Sequence, residues 1–313
     1  METTLLPNTS LYVSPISIGG AHVQRHQVYE YGVQASEAAS LDSIDFALAQ
    51  GINFIDTAPL YRDSEEVIGR ALHGRRQHVV LSTKVGCLPG RVIDSRDEAW
   101  RSIEQSLARL QTDHVEILFL HSLQDDQSWS SLLGPDKIMT ALLEAREQGV
   151  ARYLGISGTK TAPLMEAMRS GLFAVAMTYY EYNLLTQRGA SVIQEAERLK
   201  MGVLNGGPLC GGLLNGDRPE QMDARRRQRL SPSMISRIEQ LIILCRQSNY
   251  PLPQLNLRFS LAARFASTIL GMRNRAEVQA ALDALEIPPP EALWSQAMQL
   301  ASQPMEQELV TKV

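Results

Sequence analysis

The stretch that decides the fold is Gly51-Ile52-Asn53-Phe54-Ile55-Asp56-Thr57-Ala58-Pro59-Leu60-Tyr61. Residues 52 to 55 form a short, mostly apolar run that is typical of a buried strand. The run ends in a carboxylate, which a Thr-Ala-Pro break and a tyrosine follow. In a parallel α/β barrel the side chains at the carboxyl ends of the strands converge on one face, and that face carries the chemistry. Asp56 and Tyr61 are therefore the first candidates for a site.

Two later strand patterns also end in residues that can carry chemistry. His78-Val79-Val80-Leu81-Ser82-Thr83-Lys84 ends in a lysine, and Val115-Glu116-Ile117-Leu118-Phe119-Leu120-His121 ends in a histidine. Neighbouring strands lie only about 4.8 Å apart. If these are consecutive barrel strands, Asp56, Lys84 and His121 lie side by side at one rim. Tyr61 then lies just above them.

Strand-like and helix-like segments alternate eight times along the chain. The first predicted strand covers Leu11 to Gly20 and the last covers Thr268 to Leu270, and residues 21 to 39 are predicted to form an irregular loop. The alternation predicts a parallel α/β fold, here a (β/α)8 TIM barrel with extra helices. Barrels of about 250 residues commonly form one domain, so we expect residues 1–313 to form a single barrel domain.

The composition excludes several classes of protein. The 313 residues are 44% hydrophobic and 20% charged, and 30 basic and 34 acidic residues give a net charge of -4. This mixture is ordinary for a soluble protein and offers no basic surface for nucleic acid. No apolar run approaches the roughly 20 residues that span a membrane, and Met1-Glu2-Thr3-Thr4 does not resemble a signal peptide. The three cysteines, Cys87, Cys210 and Cys245, lack metal-ligand spacing, so we predict a cytoplasmic protein without a structural metal.

The four candidate residues, with their neighbours, resemble the catalytic tetrad of the aldo-keto reductase superfamily. The matching motifs are Asp-Thr-Ala-x-x-Tyr, Glu-x-x-Ile-Gly at Glu65 to Gly69, Ser-Thr-Lys and Leu-His, and they contain Asp56, Tyr61, Lys84 and His121. The resemblance extends from about Leu11 to about Leu285. It implies a barrel enzyme that transfers a hydride between a nicotinamide cofactor and a small-molecule carbonyl or alcohol.

Each residue of this tetrad has an expected role. Hydride transfer needs a proton donor at the carbonyl oxygen, or a base there in the oxidative direction. Tyr61 suits this role if an adjacent ammonium, Lys84, lowers its pKa from about 10 toward neutrality. Asp56 would hold Lys84 charged by pairing, and His121, preferably neutral, would orient the substrate oxygen. Taken singly, such residues are more often a helix cap, a solvated charge or a structural histidine, and only the combination favours catalysis.

The resemblance also implies a set of cofactor contacts. No Gly-rich fingerprint of the Rossmann type follows the first strand, so the last two βα loops are expected to bind phosphate. Gly206 stands where many family members have a tyrosine stacked on the nicotinamide, Tyr179 where many have glutamine, and Gly158 where asparagine is usual. The predicted cofactor-binding residues are Gly20, Asp56, Ser157, Tyr179, Gly207, Leu209, Gly212, Gly271, Arg273 and Glu277.

The choice between NAD and NADP depends on the segment Gly271-Met272-Arg273-Asn274-Arg275, which resembles the family's adenosine-phosphate segment. Arg273 or Arg275 would suit a bidentate contact with a 2′-phosphate. Glu277, however, falls where other members often have Arg or Gln, and an acid near the ribose repels a phosphate. The sequence thus favours NAD and leaves NADP open. A Glu277 side chain that simply points into water is an equally consistent interpretation.

The substrate class is indicated by short segments that are similar to one branch of the family, the branch of the L-galactose and D-threo-aldose (L-fucose) dehydrogenases. These segments are Gly155–Gly158, Tyr179–Tyr182, Gly202–Leu209 and Gly212–Leu214. That branch oxidises the anomeric carbon of a free aldose to a lactone, which implies an NAD(P)-dependent aldose dehydrogenase. Two alternatives remain open: an NADPH-dependent reductase of an aldehyde, ketone or keto-sugar, and a cofactor-binding regulatory subunit.

A hydroxyl-rich substrate requires polar partners and an aromatic wall. The candidates are Tyr61, His121, Asp125, Trp129 and Tyr180, although a Trp129 that packs on its own scaffold is equally consistent with the sequence. The run Arg225-Arg226-Arg227-Gln228-Arg229 either closes over the cofactor diphosphate or, as we favour, forms a solvated helix face. Cys210 is interpreted as part of the pocket lining rather than as a nucleophile. Nothing in the sequence indicates an oligomeric state.

Overall fold

Eight parallel strands close into a barrel, and their order around the ring follows the chain. The computed structural model describes residues 1–28, 34–122, 129–217 and 230–303. The barrel strands are β1 (Ile16–Gly19), β2 (Phe54–Asp56), β3 (Val80–Val85), β4 (Val115–Leu120), β5 (Ala151–Gly158), β6 (Val175–Tyr179), β7 (Gly202–Gly206) and β8 (Ser267–Leu270). β8 pairs in parallel with β1, for example Ile269 with Ser17, so the ring has no open edge. The predicted (β/α)8 barrel is confirmed.

Helices follow the strands and pack around the outside of the barrel. Those within the described residues are α1 (Glu37–Ala49), α2 (Ser64–Ala71), α3 (Arg96–Leu110), α4 (Ile138–Glu147), α5 (Thr161–Met168), α6 (Ala190–Leu199), α7 (Pro232–Gln247), α8 (Leu252–Leu261), α9 (Arg275–Glu286) and α10 (Glu291–Ser302). The predicted extra helices are α8 and α10. No helix in the described part of the chain is long and apolar enough to cross a membrane.

The interior of the barrel and the layer between strands and helices have separate apolar cores. In β2, Phe54 belongs to the interior cluster and Ile55 to the outer one; in β4, Phe119 is interior and Leu120 outer. Side chains of a strand alternate between its two faces, so Asp56, two residues after Phe54, must point into the barrel. Both faces are buried, which is why these strands are almost continuously apolar.

A third apolar cluster supports the loops after β6 and β7. It joins Leu184 and Leu185, which follow β6, to Leu213 and Leu214, which follow β7, and to buried residues of α7, α8 and α10. The extra helices therefore hold these two loops against the barrel at the carboxyl ends of its strands.

The predicted first strand, Leu11 to Gly20, is wrong as a single element. Tyr12–Val13 pairs with Thr4–Leu5 in an antiparallel hairpin, and only Ile16–Gly19 enters the barrel. The break falls at Pro15, which has no N–H to donate to a sheet. Gly20 begins a 3-10 turn, Gly20–His22, instead of ending the strand.

The predicted loop over residues 21 to 39 is also partly wrong. His26–Val28 pairs with Gln34–Ser36 in a short hairpin, and α1 begins at Glu37. Ser36 caps this helix, because its Oγ accepts a hydrogen bond from the Ala39 backbone N at 3.1 Å. A serine before an acidic first turn is a recognised start signal.

Candidate active site

Three predicted catalytic side chains point into the barrel at the carboxyl ends of β2, β3 and β4. Asp56 lies opposite Ser82 in the β2–β3 pairing, and Lys84 lies opposite Phe119 in the β3–β4 pairing. Counting by twos from the interior residues Val80 and Phe119 brings Lys84 and His121 to the same face. These side chains meet because side chains alternate between the two faces of a strand, which places all three on the interior face of neighbouring strands.

The Lys84 ammonium is tightly bound. Its Nζ donates to Asp56 Oδ2 at 2.6 Å and to the carbonyl oxygen of Thr57 at 2.9 Å. The side chains of Lys84 and Asp56 are only 2% and 4% exposed, and Ser82 Oγ donates to the other carboxylate oxygen at 2.7 Å. A buried ion pair needs this kind of full hydrogen bonding to offset its desolvation.

Tyr61 lies over this pair because the chain turns sharply after β2. The turn is a 3-10 turn, Pro59–Tyr61, whose proline sits in its first turn. Lys84 Nζ is 5.1 Å from the centre of the Tyr61 ring. The rings of Tyr61 and His121 are 5.8 Å apart between centroids and nearly perpendicular, at 83°. The structure thus brings all four predicted catalytic residues together.

Burial controls the proton affinities of these groups. It raises the pKa of Tyr61 well above 10, and the nearby Asp56 carboxylate acts in the same direction. Burial lowers the pKa of Lys84 from 10.5, and Asp56 opposes that shift. Burial, with the charge of Lys84, also lowers the pKa of His121 well below 6.5. The expectation of a neutral imidazole therefore agrees with the structure.

The prediction that Lys84 lowers the pKa of Tyr61 is wrong. We expected the Lys84 ammonium to stabilise the phenolate, but the Asp56 carboxylate is paired with that ammonium at 2.6 Å. The pair leaves little net positive charge beside Tyr61, and desolvation of the phenolate dominates. The Tyr61 hydroxyl is consequently protonated at neutral pH.

These residues form the floor of a cavity of about 810 Å³, a volume that suits a small-molecule site. Its walls combine the tetrad with the ends of β5 to β8 and with a hairpin after β3. The lining residues are Gly19, Ala21, His22, Asp56, Leu60, Tyr61, Lys84, Cys87, Leu88, Gly90, Arg91, Val92, His121, Ser122, Ser157, Gly158, Thr159, Met177, Tyr179, Gly206, Gly207, Ile269 and Gly271. Five predicted cofactor residues are therefore in its walls: Asp56, Ser157, Tyr179, Gly207 and Gly271.

The other five predicted cofactor residues are not in these walls. A Cβ on Gly20 would lie 2.7 Å from the side-chain oxygens of Ser64 and Thr57, so Gly20 serves close packing of the first turn. Leu209 packs against the third apolar cluster, which supports the loops after β6 and β7. Gly212 ends the short turn Cys210–Gly212. Arg273 and Glu277 lie farther along, at the start of α9.

Arg273 and Glu277 bind each other. Glu277 Oε1 accepts from Arg273 Nε at 2.7 Å and also from Nη2 of the same guanidinium, and Oε2 accepts from the Arg273 backbone N at 2.8 Å. Asn274 caps α9 by accepting from the Glu277 backbone N at 3.0 Å. Glu277 therefore points neither freely into water nor outward toward a ribose. Arg275, the other candidate for a phosphate contact, pairs with Asp42 at 2.6 Å.

Several predicted pocket residues lie elsewhere. Trp129 is buried and packs its ring against Phe173, with centroids 5.5 Å apart, so the scaffold interpretation is correct and the substrate wall is wrong. Cys210 belongs to the cluster of the extra helices and not to the cavity lining, and burial raises the pKa of its thiol to about 12. Asp125, Asp126 and the run Arg225-Arg226-Arg227-Gln228-Arg229 lie outside the described residues.

The cavity also contains residues that sequence reasoning missed. The hairpin of Cys87–Leu88 and Arg91–Val92 forms one wall, although Gly86, Pro89 and Gly90 interrupt this stretch in a way that is typical of a loop. Met177 could have been found, because it precedes Tyr179 by two residues on β6 and so shares its face. His22 carries no local signal, since only the closure of β8 against β1 brings it beside Gly271.

Comparisons with known proteins agree with this geometry. The profile of the Aldo/keto reductase family matches residues 15–301. The chain is 27% identical to L-galactose dehydrogenase of Arabidopsis thaliana over 292 residues, which cover 89% of this chain and 86% of that protein. It is 28% identical to D-arabinose 1-dehydrogenase of Saccharomyces cerevisiae over 297 residues, covering 88% and 84%. Among solved structures it resembles an aldo-keto reductase from Bacillus halodurans in its holo form, with a TM-score of 0.76, 26% identity and 97% of each chain covered.

Proposed function

Since the chain belongs to the aldo/keto reductase family and is an oxidoreductase, we propose that it transfers a hydride between a nicotinamide dinucleotide and an aldose. The observation that carries this proposal is the meeting of Asp56, Tyr61, Lys84 and His121 at the floor of one cavity. An acid/base hydroxyl, a paired ammonium and a neutral imidazole form a set that can move a proton at a carbonyl oxygen.

The residues present fit a nicotinamide dinucleotide. The cavity volume of about 810 Å³ leaves room for a ring beside a substrate. Two glycines of its wall, Gly206 and Gly271, make room for the rings of Tyr179 and His22, because a Cβ at either position would lie within 3 Å of the ring. Both rings line the cavity, and such rings offer flat faces to a planar ligand. His121 Nδ1 is buried and has no hydrogen-bond partner among the described residues; an unmatched polar atom of this kind is expected in a site that binds a polar ligand.

The chain's own residues would handle the proton, while a bound nicotinamide would supply or accept the hydride. Tyr61 is protonated at neutral pH because burial raises its pKa, and this form can donate a proton to a carbonyl oxygen. Lys84 uses two N–H donors on Asp56 and Thr57. An ammonium has three donors, so one remains for the Tyr61 oxygen as it loses its proton. His121 would orient the same substrate oxygen.

An aldose substrate is supported by two of the relatives, whose names state that they act on L-galactose and on D-arabinose. The reductive alternative, an aldehyde, ketone or keto-sugar as substrate, is supported by the raised pKa of Tyr61. A protonated phenol is ready to act as an acid in reduction, whereas oxidation requires that it first lose its proton.

We propose NAD as the cofactor of this reaction. The two guanidinium groups that could contact a 2′-phosphate are both paired with carboxylates, Arg273 with Glu277 through two contacts and Arg275 with Asp42. A phosphate would have to compete with that carboxylate and would be repelled by it. A free 2′-hydroxyl meets no such repulsion.

The first test is a panel of initial rates, followed at the absorbance of the reduced nicotinamide. NAD and NADP would each be offered with L-galactose, L-fucose and D-arabinose, and NADH and NADPH with simple aldehydes. Rapid reduction of NAD by one or a few aldoses is the expected result. Oxidation of NADPH by carbonyl compounds, with no aldose oxidation, would favour the reductive alternative.

The role of Tyr61 is tested with Tyr61→Phe, which keeps the ring and removes the hydroxyl. We expect turnover to fall by about 10²-fold or more, with dinucleotide affinity close to that of the unmodified chain. The matched control is Tyr153→Phe, because the Tyr153 hydroxyl bonds to Ser10 at 3.0 Å near the amino end of β5, away from the cavity. Retained turnover in Tyr61→Phe would mean that another group is the acid/base.

A further inference from the structure

The ring of Tyr179 occupies the space above Gly206. The two residues are paired across β6 and β7, and both line the cavity. A Cβ built on Gly206 would lie 2.9 Å from Tyr179 Cδ2, which is closer than packed carbon atoms approach. Any side chain on Gly206 would therefore displace this ring.

A second tyrosine holds the ring of Tyr179 in place. The rings of Tyr179 and Tyr180 are 4.0 Å apart between centroids and tilted by 33°. The hydroxyl of Tyr179 donates to that of Tyr180 at 3.0 Å. Stacking and the hydrogen bond together restrict the Tyr179 ring before any ligand binds.

The backbone is adapted to this arrangement. Tyr180 has a φ of 66°, a left-handed conformation that non-glycine residues seldom adopt. Next to its ring lies Gly207, where a Cβ would be 2.5 Å from Tyr180 Cε1. Strain of this kind persists only where the surroundings enforce it, and it concentrates at functional sites. Two glycines and one strained residue thus accommodate a pair of aromatic rings, of which that of Tyr179 lines the cavity.

We propose that Tyr179 provides the flat face on which the nicotinamide ring stacks, and that β6 supplies this face because β7 has only glycine at position 206. The inference rests on the proposed function, which requires a planar ring held near Tyr61. Tyr179 and Tyr61 line the same cavity. Stacking here would present one face of the nicotinamide to the substrate.

A stacking role predicts a particular pattern of affinities. The oxidised nicotinamide carries a positive charge, and a tyrosine face attracts a cation more strongly than a neutral ring. Replacing Tyr179 by leucine should therefore weaken binding of NAD by about 10-fold and of NADH by about 3-fold. ADP-ribose, which lacks the nicotinamide, should bind with unchanged affinity. A purely structural role would change all three affinities together.

The experiment measures the affinities of NAD, NADH and ADP-ribose by isothermal titration calorimetry for the intact chain, Tyr179→Leu and Tyr179→Phe. Tyr179→Phe, which retains the ring, should bind NAD within about 2-fold of the intact chain. Equal loss of all three ligands in Tyr179→Leu, or no loss at all, would overturn the proposal. If the intact chain binds NADP rather than NAD, the same comparison uses NADP, NADPH and 2′-phospho-ADP-ribose.

Three further variants, Gly206→Ala, Tyr179→Gly and the double variant of Tyr179→Gly with Gly206→Tyr, test the proposal if Tyr179→Leu fails to fold. Gly206→Ala presses a methyl group against the Tyr179 ring, and it should reduce NAD affinity while leaving that for ADP-ribose unchanged. The double variant Tyr179→Gly/Gly206→Tyr offers a ring from β7 instead, and it should recover NAD affinity relative to Tyr179→Gly. Unchanged NAD affinity in Gly206→Ala, together with no recovery in the double variant, would overturn the proposal. An intact chain that binds no dinucleotide would contradict the proposed function itself.

Discussion

Two carboxylate–cation pairs, Asp56–Lys84 and Arg273–Glu277, lie in different surroundings in this molecule. The first joins residues 28 positions apart across neighbouring strands, and its side chains are 4% and 2% exposed. The second joins residues four apart at the start of α9, with side chains 22% and 28% exposed. Because the first pair is buried, water cannot solvate one partner when the other is removed, and the remaining charge is left without compensation. In the second pair, which is partly exposed, water or a ligand can solvate or bind either charged group when its partner is removed.

The largest effect is expected from breaking the buried pair. Lys84→Met or Asp56→Asn leaves its partner buried without compensation, which should lower the free energy of unfolding by about 3–5 kcal/mol. The double variant removes both charges and should be less destabilised than the sum of the single variants, although it should not recover turnover. Denaturant unfolding of the four proteins forms a double-mutant cycle. Strictly additive losses would show that the two charges do not depend on each other.

The pH dependence of the unfolding free energy should further distinguish the buried pair from the partly exposed one, because His121 lies beside the buried pair. The folded pKa of His121 lies below its unfolded value of 6.5, so the unfolded chain takes up the proton first. The stability due to a neutral His121 is therefore fully present above pH 6.5 and is lost as the pH falls below it. Relative to His121→Gln, the intact chain should lose about 1 kcal/mol of unfolding free energy between pH 6.5 and 5.5.

The reference for this titration is His121→Gln itself, because its amide keeps a polar side chain at this position but cannot take up a proton in this pH range. A gap between the intact chain and His121→Gln that stays constant from pH 7.5 to 5.5 would contradict a neutral buried imidazole.

The smallest effect on stability is expected at the Arg273–Glu277 pair. Glu277→Gln should change the free energy of unfolding by less than about 1 kcal/mol. It should, however, remove the carboxylate charge that repels a 2′-phosphate beside Arg273 and raise the ratio of NADP to NAD affinity by about 5-fold. The measurement is the pair of dissociation constants in the intact chain and the variant.

The matched control is Asp42→Asn, which removes the carboxylate that binds the neighbouring Arg275. It should leave the ratio of NADP to NAD affinity unchanged if Arg273 is the residue that distinguishes NADP from NAD. A larger shift with Asp42→Asn than with Glu277→Gln would assign that role to Arg275 instead.

The contrast between the two pairs also explains what could be predicted. Asp56 and Lys84 are far apart in sequence, yet strand period and strand adjacency require that they meet. Arg273 and Glu277 are close in sequence and lie one helical turn apart. Their pairing was nevertheless missed, because a long, partly exposed side chain has many rotamers and several competing partners. The sequence left two places open for Trp129, the cavity wall and the scaffold, because its partner Phe173 comes from a distant part of the chain.

The sequence by itself determined the barrel, the strands that carry Asp56, Lys84 and His121, and the meeting of four residues at the carboxyl face; it did not find the break in the first strand at Pro15. These features depend on the two-residue period of the strands and on the order of the strands along the chain, and both can be read from the sequence. Only the tertiary structure decided that the Tyr61 pKa is raised, that Glu277 binds Arg273, and that the Tyr179 ring covers Gly206. Such properties depend on desolvation and on contacts between separate segments, and both exist only once the chain has folded.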